Sequence, residues 1–243
     1  MVPTVLITRP APAATDFAER VRARVGQGAV VLTSPVMEIV VRGPLPEIPG
    51  DCRLVFTSRN GVAAYAELGG RAGLACYTVG DATARAAQAI GLRPVSAGAD
   101  ARALADRIIE DGVRASCLHM RGEHVAGNLA EWLRNGGVSV REHVVYQQTA
   151  CRLAPEARAV LNAMTPVVLP LFSPRTGTIL CDQGPFRAPL LVAAISRNAA
   201  AAVAACQPHR VDVARRPDAE AVLDLTEELV RRAKRLEGDT GAK

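Results

Sequence analysis

The chain has 243 residues, of which 49% are hydrophobic and 22% charged, and its formal net charge at pH 7 is +5. This balance provides enough apolar residues for one large or two small domains and argues against an intrinsically disordered chain. No apolar run approaches the roughly 20 residues that a membrane-spanning helix needs. The N-terminal residues lack the basic region, apolar core and cleavage site of a signal peptide, so we expect a soluble, cytoplasmic protein.

Short apolar runs predict strands and apolar residues at helical spacing predict helices, and the two alternate along the chain. The predicted strands are residues 5–8, 29–32, 36–41, 54–56, 76–79, 93–95, 116–120, 138–149, 167–172, 190–195 and 211–213. The predicted helices are residues 14–25, 61–68, 80–91, 101–110, 129–135, a helix that starts at 173, 196–206 and 218–232. Residues 154–164 are predicted to form a helix or a loop, and a solvated tail is expected from 235 onward.

The basic residues are almost all arginine, because only Lys234 and Lys243 among the 29 are lysine. Arginine can hold a carboxylate or phosphate through two parallel hydrogen bonds, so a multiply charged anionic ligand fits this balance. A GC-rich genome would also raise the arginine content, and composition alone favours that explanation. Nucleic acid is a weaker candidate, since aromatic residues for base stacking are only 3% of the chain.

Cysteine and histidine spacing predicts no metal site. The six cysteines are scattered without a CxxC pair, so we expect buried thiols and neither a zinc site nor a disulfide framework. The histidines show no ligand spacing, and each is expected to be a surface or packed imidazole. These residues are Cys52, Cys76, Cys117, Cys151, Cys181, Cys206, His119, His124, His143 and His209.

The two halves of the chain match in order, which indicates an internal repeat of pattern, although chance similarity between two α/β halves is the alternative. The offset drifts from 112 to 118 residues, as small loop insertions would produce. The matched pairs are Arg9 with Arg121, Ser58 with Ser173, Gly80 with Ser196 and Asp100 with Asp218.

Alternating strands and helices predict parallel sheets with helices on both faces, and ligands bind beyond the carboxyl ends of such strands. Distinctive polar junctions fall at these ends, and if the two sheets face one another, the junctions line one cleft that holds a polyanion. Taken singly, each residue has a simpler explanation. Ser58, Ser173 and Asp81 are of types that cap helices, Gly80 suits a tight turn, and the arginines could be solvated surface.

Four segments, in order and at matching spacing, resemble the uroporphyrinogen-III synthase family. The resemblance extends from about residue 5 to residue 230. The segments are residues 56–62 (FTSRNGV), 77–84 (YTVGDATA), 144–149 (VVYQQT) and 171–175 (LFSPR).

The resemblance implies a cyclising hydro-lyase of tetrapyrrole and haem biosynthesis. Such an enzyme closes the linear, carboxylate-rich hydroxymethylbilane to uroporphyrinogen III, with loss of water and inversion of the last pyrrole ring, and uses no cofactor or metal. We expect a monomer with neither nucleic acid nor membrane as partner, for which a transient hand-over of substrate from the preceding hydroxymethylbilane synthase is one possibility.

The resemblance further implies two flavodoxin-like parallel-sheet α/β domains joined by a pair of extended linker strands. One domain is discontinuous, formed by residues 1–37 and 151–243, and the other comprises residues 46–139. The linker strands are then residues 37–45 and 140–150.

Tyr146, in a linker strand, matches the family's favoured candidate for assisting loss of the hydroxyl group, since a phenol keeps its proton at neutral pH. The alternative is a half-buried tyrosine that packs the linker. The residues expected to bind substrate are Arg9, Ser58, Arg59, Gly80, Asp81, Thr83, Arg121, Ser173, Arg175, Ser196 and Asn198.

One segment departs from the family. Many members carry Gly-Pro-Thr-Thr-like residues after the late strand, whereas this chain has Ser196-Arg197-Asn198-Ala199 and lacks the second hydroxyl. We expect Asn198 or Ser196 to supply that contact. Two other functions compete with the enzyme: a non-catalytic, two-lobed cytoplasmic binder or sensor of a small polyanionic ligand, and a nucleotide-using α/β enzyme. The second ranks low because neither GxGxxG nor a P-loop follows a predicted strand.

Overall fold

The computed structural model describes residues 2–11, 13–98, 100–124 and 127–240. It divides into two compact units, one formed by Met1–Glu38 and Thr149–Lys243 and the other by Ile39–Gln148. None of its described helices is long and apolar enough to cross a membrane.

Strands and helices alternate along the described chain. The strands are β1 (Thr4–Ile7), β2 (Val30–Thr33), β3 (Met37–Val41), β4 (Arg53–Phe56), β5 (Ala75–Thr78), β6 (Arg93–Ser96), β7 (Cys117–Gly122), β8 (Val140–Ala150), β9 (Val167–Leu171), β10 (Leu190–Ala194) and β11 (Arg210–Val213). The α-helices are α1 (Ala13–Val25), α2 (Arg59–Glu67), α3 (Asp81–Ala89), α4 (Ala101–Glu110), α5 (Leu129–Asn135), α6 (Pro155–Asn162), α7 (Pro174–Cys181), α8 (Arg197–Ala201) and α9 (Ala219–Thr240).

The first unit contains a five-stranded sheet in the order β11-β10-β9-β1-β2, and all four neighbouring pairs are parallel. The central strands β9 (VVLPL) and β10 (LLVAA) are apolar and buried along their whole length, as strands covered by helices on both faces must be. Val5 and Ile7 pack with α1 and α9 on one face, whereas Leu6 packs with α6, α7 and α8 on the other.

The second unit contains a six-stranded sheet in the order β3-β8-β7-β4-β5-β6, in which β8, β7, β4, β5 and β6 are parallel neighbours. Its two cores contain residues of α2 and α3 on one face and of α4 and α5 on the other. The segments expected as linker strands are part of this sheet: β3 lies at its edge beside β8, and the Arg42 N–H donates to the Val145 carbonyl at 2.8 Å. The α/β class with two parallel sheets is confirmed.

The predicted internal repeat has a topological basis. The order β11-β10-β9-β1-β2 in the first unit corresponds strand by strand to β6-β5-β4-β7-β8 in the second. All four matched pairs then stand at or after the carboxyl ends of equivalent strands. Arg9 follows β1 and Arg121 is the last residue but one of β7. The other pairs follow their strands: Ser173 and Ser58 follow β9 and β4, Ser196 and Gly80 follow β10 and β5, and Asp218 and Asp100 follow β11 and β6. Because the chain enters the two sheets at different strands, one sheet is a circular permutation of the other.

Two sequence predictions are wrong. Cys181 and Cys206 form a disulfide across 25 residues, although the sequence analysis predicts buried thiols. The two cysteines meet because α7 packs closely on the segment before Cys206: a Cβ on Gly177 would lie only 3.0 Å from Val203 Cγ1. The tail expected from Arg235 instead continues α9 to Thr240. The i,i+4 ion pairs Arg231–Glu227 and Arg232–Glu228 support the turns of α9 from which this extension continues.

Candidate functional site at the carboxyl ends of the two sheets

Each sheet has a topological switch point where the strand order reverses, between β1 and β9 in the first unit and between β4 and β7 in the second. Ligands of such sheets bind at the carboxyl ends of the strands beside this point. In both units an arginine stands at the carboxyl end of the strand on one side and a serine follows the strand on the other. Arg9, two residues after β1, is matched with Ser173, and Arg121, the last residue but one of β7, with Ser58. The structure therefore places these four predicted residues at the expected position in each sheet.

Arg9 is half-buried and lies over an aromatic ring. Its guanidinium carbon is 3.9 Å from the centroid of Phe172, which makes an edge-to-face contact with Phe17 at 4.9 Å. A guanidinium over a ring face is attracted by the π electrons, and the stacked geometry limits its rotation. Phe172 therefore orients Arg9 at the end of β1.

Three predicted serines cap helices. Ser58 accepts a hydrogen bond from the Asn60 N–H at 3.0 Å, Ser173 from the Thr176 N–H at 3.2 Å, and Ser196 from the Ala199 N–H at 3.2 Å. The capping explanation is thus confirmed for Ser58 and Ser173. Accepting a capping hydrogen bond does not use the hydroxyl proton of the serine. The Ser173 hydroxyl also lies 2.8 Å from Thr176 Oγ1, and either of these two hydroxyls can be the donor.

At the junction after β5, the residue that caps α3 is Gly80 and not Asp81, whose residue type predicts a cap. Gly80 occupies the cap position of α3, and Asp81 begins the helix and accepts a hydrogen bond from the Ser96 hydroxyl at 2.7 Å. The tight-turn explanation for Gly80 is wrong, because its φ of −165° is an extended conformation that any residue adopts. Thr83, in the first turn, is buried.

The other predicted side chains lie in the first turns of the helices that follow the strands. Arg59 and Asn198 are exposed at the starts of α2 and α8, and Arg175 is half-buried at the start of α7. Ala199, where the family's second hydroxyl would stand, is fully buried in the apolar core. Of the residues proposed to replace that hydroxyl, Asn198 has the exposed side chain.

Arg121 is held by several contacts in the second unit. Its Nε lies 2.9 Å from Glu142 Oε1 as an ion pair, and its Nη1 donates to the carbonyls of Gly122 at 2.9 Å and Glu123 at 3.1 Å. These contacts fix the guanidinium beside the carboxyl end of β7.

His119 and Glu142 are site residues that the sequence analysis missed. His119 is 2% exposed, and Thr57 Oγ1 lies 3.2 Å from its Nε2 while Glu142 Oε1 lies 3.7 Å from its Nδ1. Burial lowers the pKa of His119 to about 4, against the opposing effect of the Glu142 carboxylate, so the imidazole is neutral at pH 7. The alternation His119-Met120-Arg121 was the available signal, since it places two polar side chains on one face of a strand.

A cavity of about 240 Å³ adjoins this cluster. It is lined by His119, Arg121, Glu142 and residues of α5, including Glu131 in its first turn and Arg134 in its last. Charges of both signs line it. Within the described residues, no group of three or more His, Cys, Asp or Glu side chains could hold a metal ion.

Tyr146 lies in β8 beside the end of β7, paired with Gly122 in the sheet. Its side chain belongs to the apolar core on the α2 face and is 5% exposed. Its carbonyl accepts a hydrogen bond from the Glu123 N–H at 3.0 Å. The ring thus adjoins the same strand end as Arg121 but packs on the opposite face of the sheet.

The fold and these side chains define a class: an α/β protein with two parallel sheets that present guanidinium and hydroxyl groups at their carboxyl ends. The family model described as "Uroporphyrinogen-III synthase HemD" matches residues 17–224. The chain therefore belongs to the uroporphyrinogen-III synthase family. This family membership also confirms the predicted activity, which is that of a cyclising lyase in porphyrin and haem biosynthesis.

Solved structures agree in fold. The uroporphyrinogen-III synthetase from Helicobacter pylori has a TM-score of 0.69 at 18% identity, with 94% of this chain and 100% of that chain covered. A mutant uroporphyrinogen III synthase from the extremely thermophilic bacterium Thermus thermophilus has a TM-score of 0.51 at 17% identity, with 96% of this chain and 99% of that chain covered. No curated protein matches the sequence.

Proposed function

We propose that the chain converts hydroxymethylbilane to uroporphyrinogen III, and that Arg9 and Arg121 bind substrate carboxylates while the ring closes. The family match over residues 17–224 carries the first part of this proposal. The equivalent positions of the two arginines at the switch points support the second. Each guanidinium is oriented by its own partner, the Phe172 ring or the Glu142 carboxylate.

In this reaction the hydroxyl group leaves the terminal methylene carbon as water, and that carbon bonds to the α-carbon through which the last pyrrole is attached to its bridge. The bond from the last pyrrole to its bridging methylene then breaks, and the bridge carbon bonds to the ring's free α-carbon, which loses its proton, so the macrocycle closes with the last ring inverted. The substrate also closes in solution without inverting the last ring, so the protein must select a geometry. Carboxylates held at fixed positions restrict how a flexible chain folds back, and this lowers the entropic part of the barrier. Ser58, Ser173 and Thr83 are proposed to add hydrogen bonds to the same substrate.

Tyr146 is proposed to donate its phenolic proton, or a hydrogen bond, to the departing hydroxyl group. Its ring adjoins Gly122 at the carboxyl end of β7, the end at which ligands of parallel sheets bind, and this supports the role. A donor in a largely water-excluded position interacts more strongly with a developing charge than one in bulk water.

The test is a product assay with freshly prepared hydroxymethylbilane, followed by oxidation and separation of the porphyrin isomers. We expect isomer III, formed faster than the spontaneous reaction. Isomer I alone, at the rate seen in buffer, would contradict the proposal and favour the non-catalytic binder. A monomeric state, a cytoplasmic location, the exact domain and linker boundaries and a direct hand-over from hydroxymethylbilane synthase stay predictions.

A further inference from the structure

Glu142 lies opposite His119 in the paired strands β8 and β7, and its side chain is 30% exposed. A partly buried carboxylate needs a compensating charge or hydrogen bonds. The cation in contact with it is Arg121, whose Nε lies 2.9 Å from Oε1. The acid is therefore paired with one of the residues proposed to bind substrate.

The contacts of Arg121 leave one edge of its guanidinium available. Nε lies 2.9 Å from a Glu142 carboxylate oxygen as an ion pair without the alignment of a hydrogen bond, and Nη1 donates to the carbonyls of Gly122, the last residue of β7, and of Glu123. Within the described residues, Nη2 makes no hydrogen bond. A guanidinium fixed on two nitrogens can offer the third to a ligand carboxylate without first losing side-chain entropy.

His119 does not compete for the same carboxylate. It is buried, and the burial that keeps it neutral leaves the Glu142 charge to Arg121. Its Nε2 contacts Thr57, the residue after β4, whereas Glu142 of β8 lies between His119 and Arg121 of β7. Arg134 and Glu131 line the same cavity from α5, and Glu131 accepts a hydrogen bond from Asn128 at 2.9 Å.

We propose that Glu142 is a positioning residue: through its ion pair with Nε it holds Arg121 so that Nη2 meets a substrate carboxylate. This inference rests on the proposed function, in which Arg121 binds substrate. Glu142 itself touches no reacting atom and acts only through the arginine.

A double-mutant cycle on the full-length protein tests this inference. Glu142→Gln keeps the shape of the side chain and removes its charge; we expect KM for hydroxymethylbilane to rise about tenfold with kcat within about threefold of wild type. In the Arg121→Gln background, the same change should leave KM unaltered, because the residue through which Glu142 acts is gone. Glu110→Gln, at an exposed glutamate at the C-terminal end of α4, is the matched control and should behave like wild type.

Each outcome decides the inference. A tenfold rise in KM caused by Glu142→Gln in both the wild-type and the Arg121→Gln protein would overturn it, because the effect would then not pass through Arg121. An unchanged KM for the single variant Glu142→Gln would also overturn it, and so would an unchanged KM for Arg121→Gln. Urea unfolding verifies that each variant is folded; if Glu142→Gln is not, Glu142→Asp, which keeps the charge on a shorter side chain, replaces it in the cycle. Wild-type protein that forms no isomer III would overturn the proposed function, which the variants do not address.

Discussion

Tyr146 lies so close to Gly122 that a Cβ on the glycine would be 2.6 Å from the tyrosine ring and 2.8 Å from its hydroxyl oxygen. Real side chains do not approach this closely, so any larger residue at position 122 must move the ring. The glycine therefore determines where the phenol of Tyr146 can lie beside the end of β7.

Gly122→Ala should accordingly displace Tyr146 and lower both stability and activity. Overpacking of a buried contact costs about 1–3 kcal/mol of unfolding free energy, and we expect kcat to fall with it. Urea unfolding and the isomer assay measure the two effects. Gly50→Ala is the control, because a Cβ there meets nothing within 4 Å. Equal behaviour of the two variants would show that the ring is free to move away at little cost.

Tyr146→Phe removes the phenolic proton and leaves the ring packing in place. If the hydroxyl assists departure of the leaving group, kcat should fall by about 100-fold with little change in KM. Tyr65→Phe is a matched control in the same unit, since its hydroxyl donates to the Arg71 carbonyl at 2.8 Å and should affect stability alone. A Tyr146→Phe enzyme with the full rate and isomer III product would exclude an essential proton donor.

The sequence allowed prediction of the strand ends but not of every contact made there. Polar residues after apolar runs identified Arg9, Ser58, Arg121 and Ser173, because parallel strands place their carboxyl ends at one edge. His119 was treated as an ordinary imidazole, since its burial depends on neighbouring strands that are distant in sequence.

Long-range packing also explains the other differences. The disulfide depends on how α7 meets the segment before Cys206, and the cap at Gly80 depends on where α3 begins, neither of which follows from residue type. The expectation that the two sets of strand ends face one cleft stays a prediction, because the structure describes each unit by itself.

Ser173 allows a capping role to be separated from substrate binding. Ser173→Ala should lower the unfolding free energy by about 1 kcal/mol, whereas Ser173→Gly, a tolerated cap, should lower it by only a few tenths. If the hydroxyl binds substrate, both variants should raise KM to a similar degree. A glycine variant with a wild-type KM would assign the hydroxyl to capping alone.

His119 should make stability depend on pH. Its pKa is about 4 in the folded protein, against an ordinary value of 6.5, so the unfolded chain takes up the proton first as pH falls. The stabilisation is complete above pH 6.5 and is lost as pH falls through 4, which amounts to about 2 kcal/mol between pH 7 and pH 5. His119→Gln should lack this component. Denaturant unfolding at both pH values measures it, and parallel losses in the two proteins would contradict the assignment.

The Cys181–Cys206 disulfide should stabilise the first unit by restricting the unfolded chain. Closing a loop of 25 residues is worth about 3 kcal/mol by the loop-entropy relation. Reduction with dithiothreitol should therefore lower the urea midpoint of the wild-type protein. The double variant Cys181→Ser/Cys206→Ser should show the lower midpoint with or without reductant.

Cys151→Ser serves as the control for this experiment, because Cys151 is a free, half-buried thiol of the same unit. It should keep the full response to dithiothreitol. Since disulfides are rare in reducing compartments, alkylation and mass spectrometry before unfolding must establish which form was measured. A midpoint that reductant does not change, in protein shown to be oxidised at both cysteines, would mean that the unfolded chain is already compact enough for the cross-link to restrict nothing further.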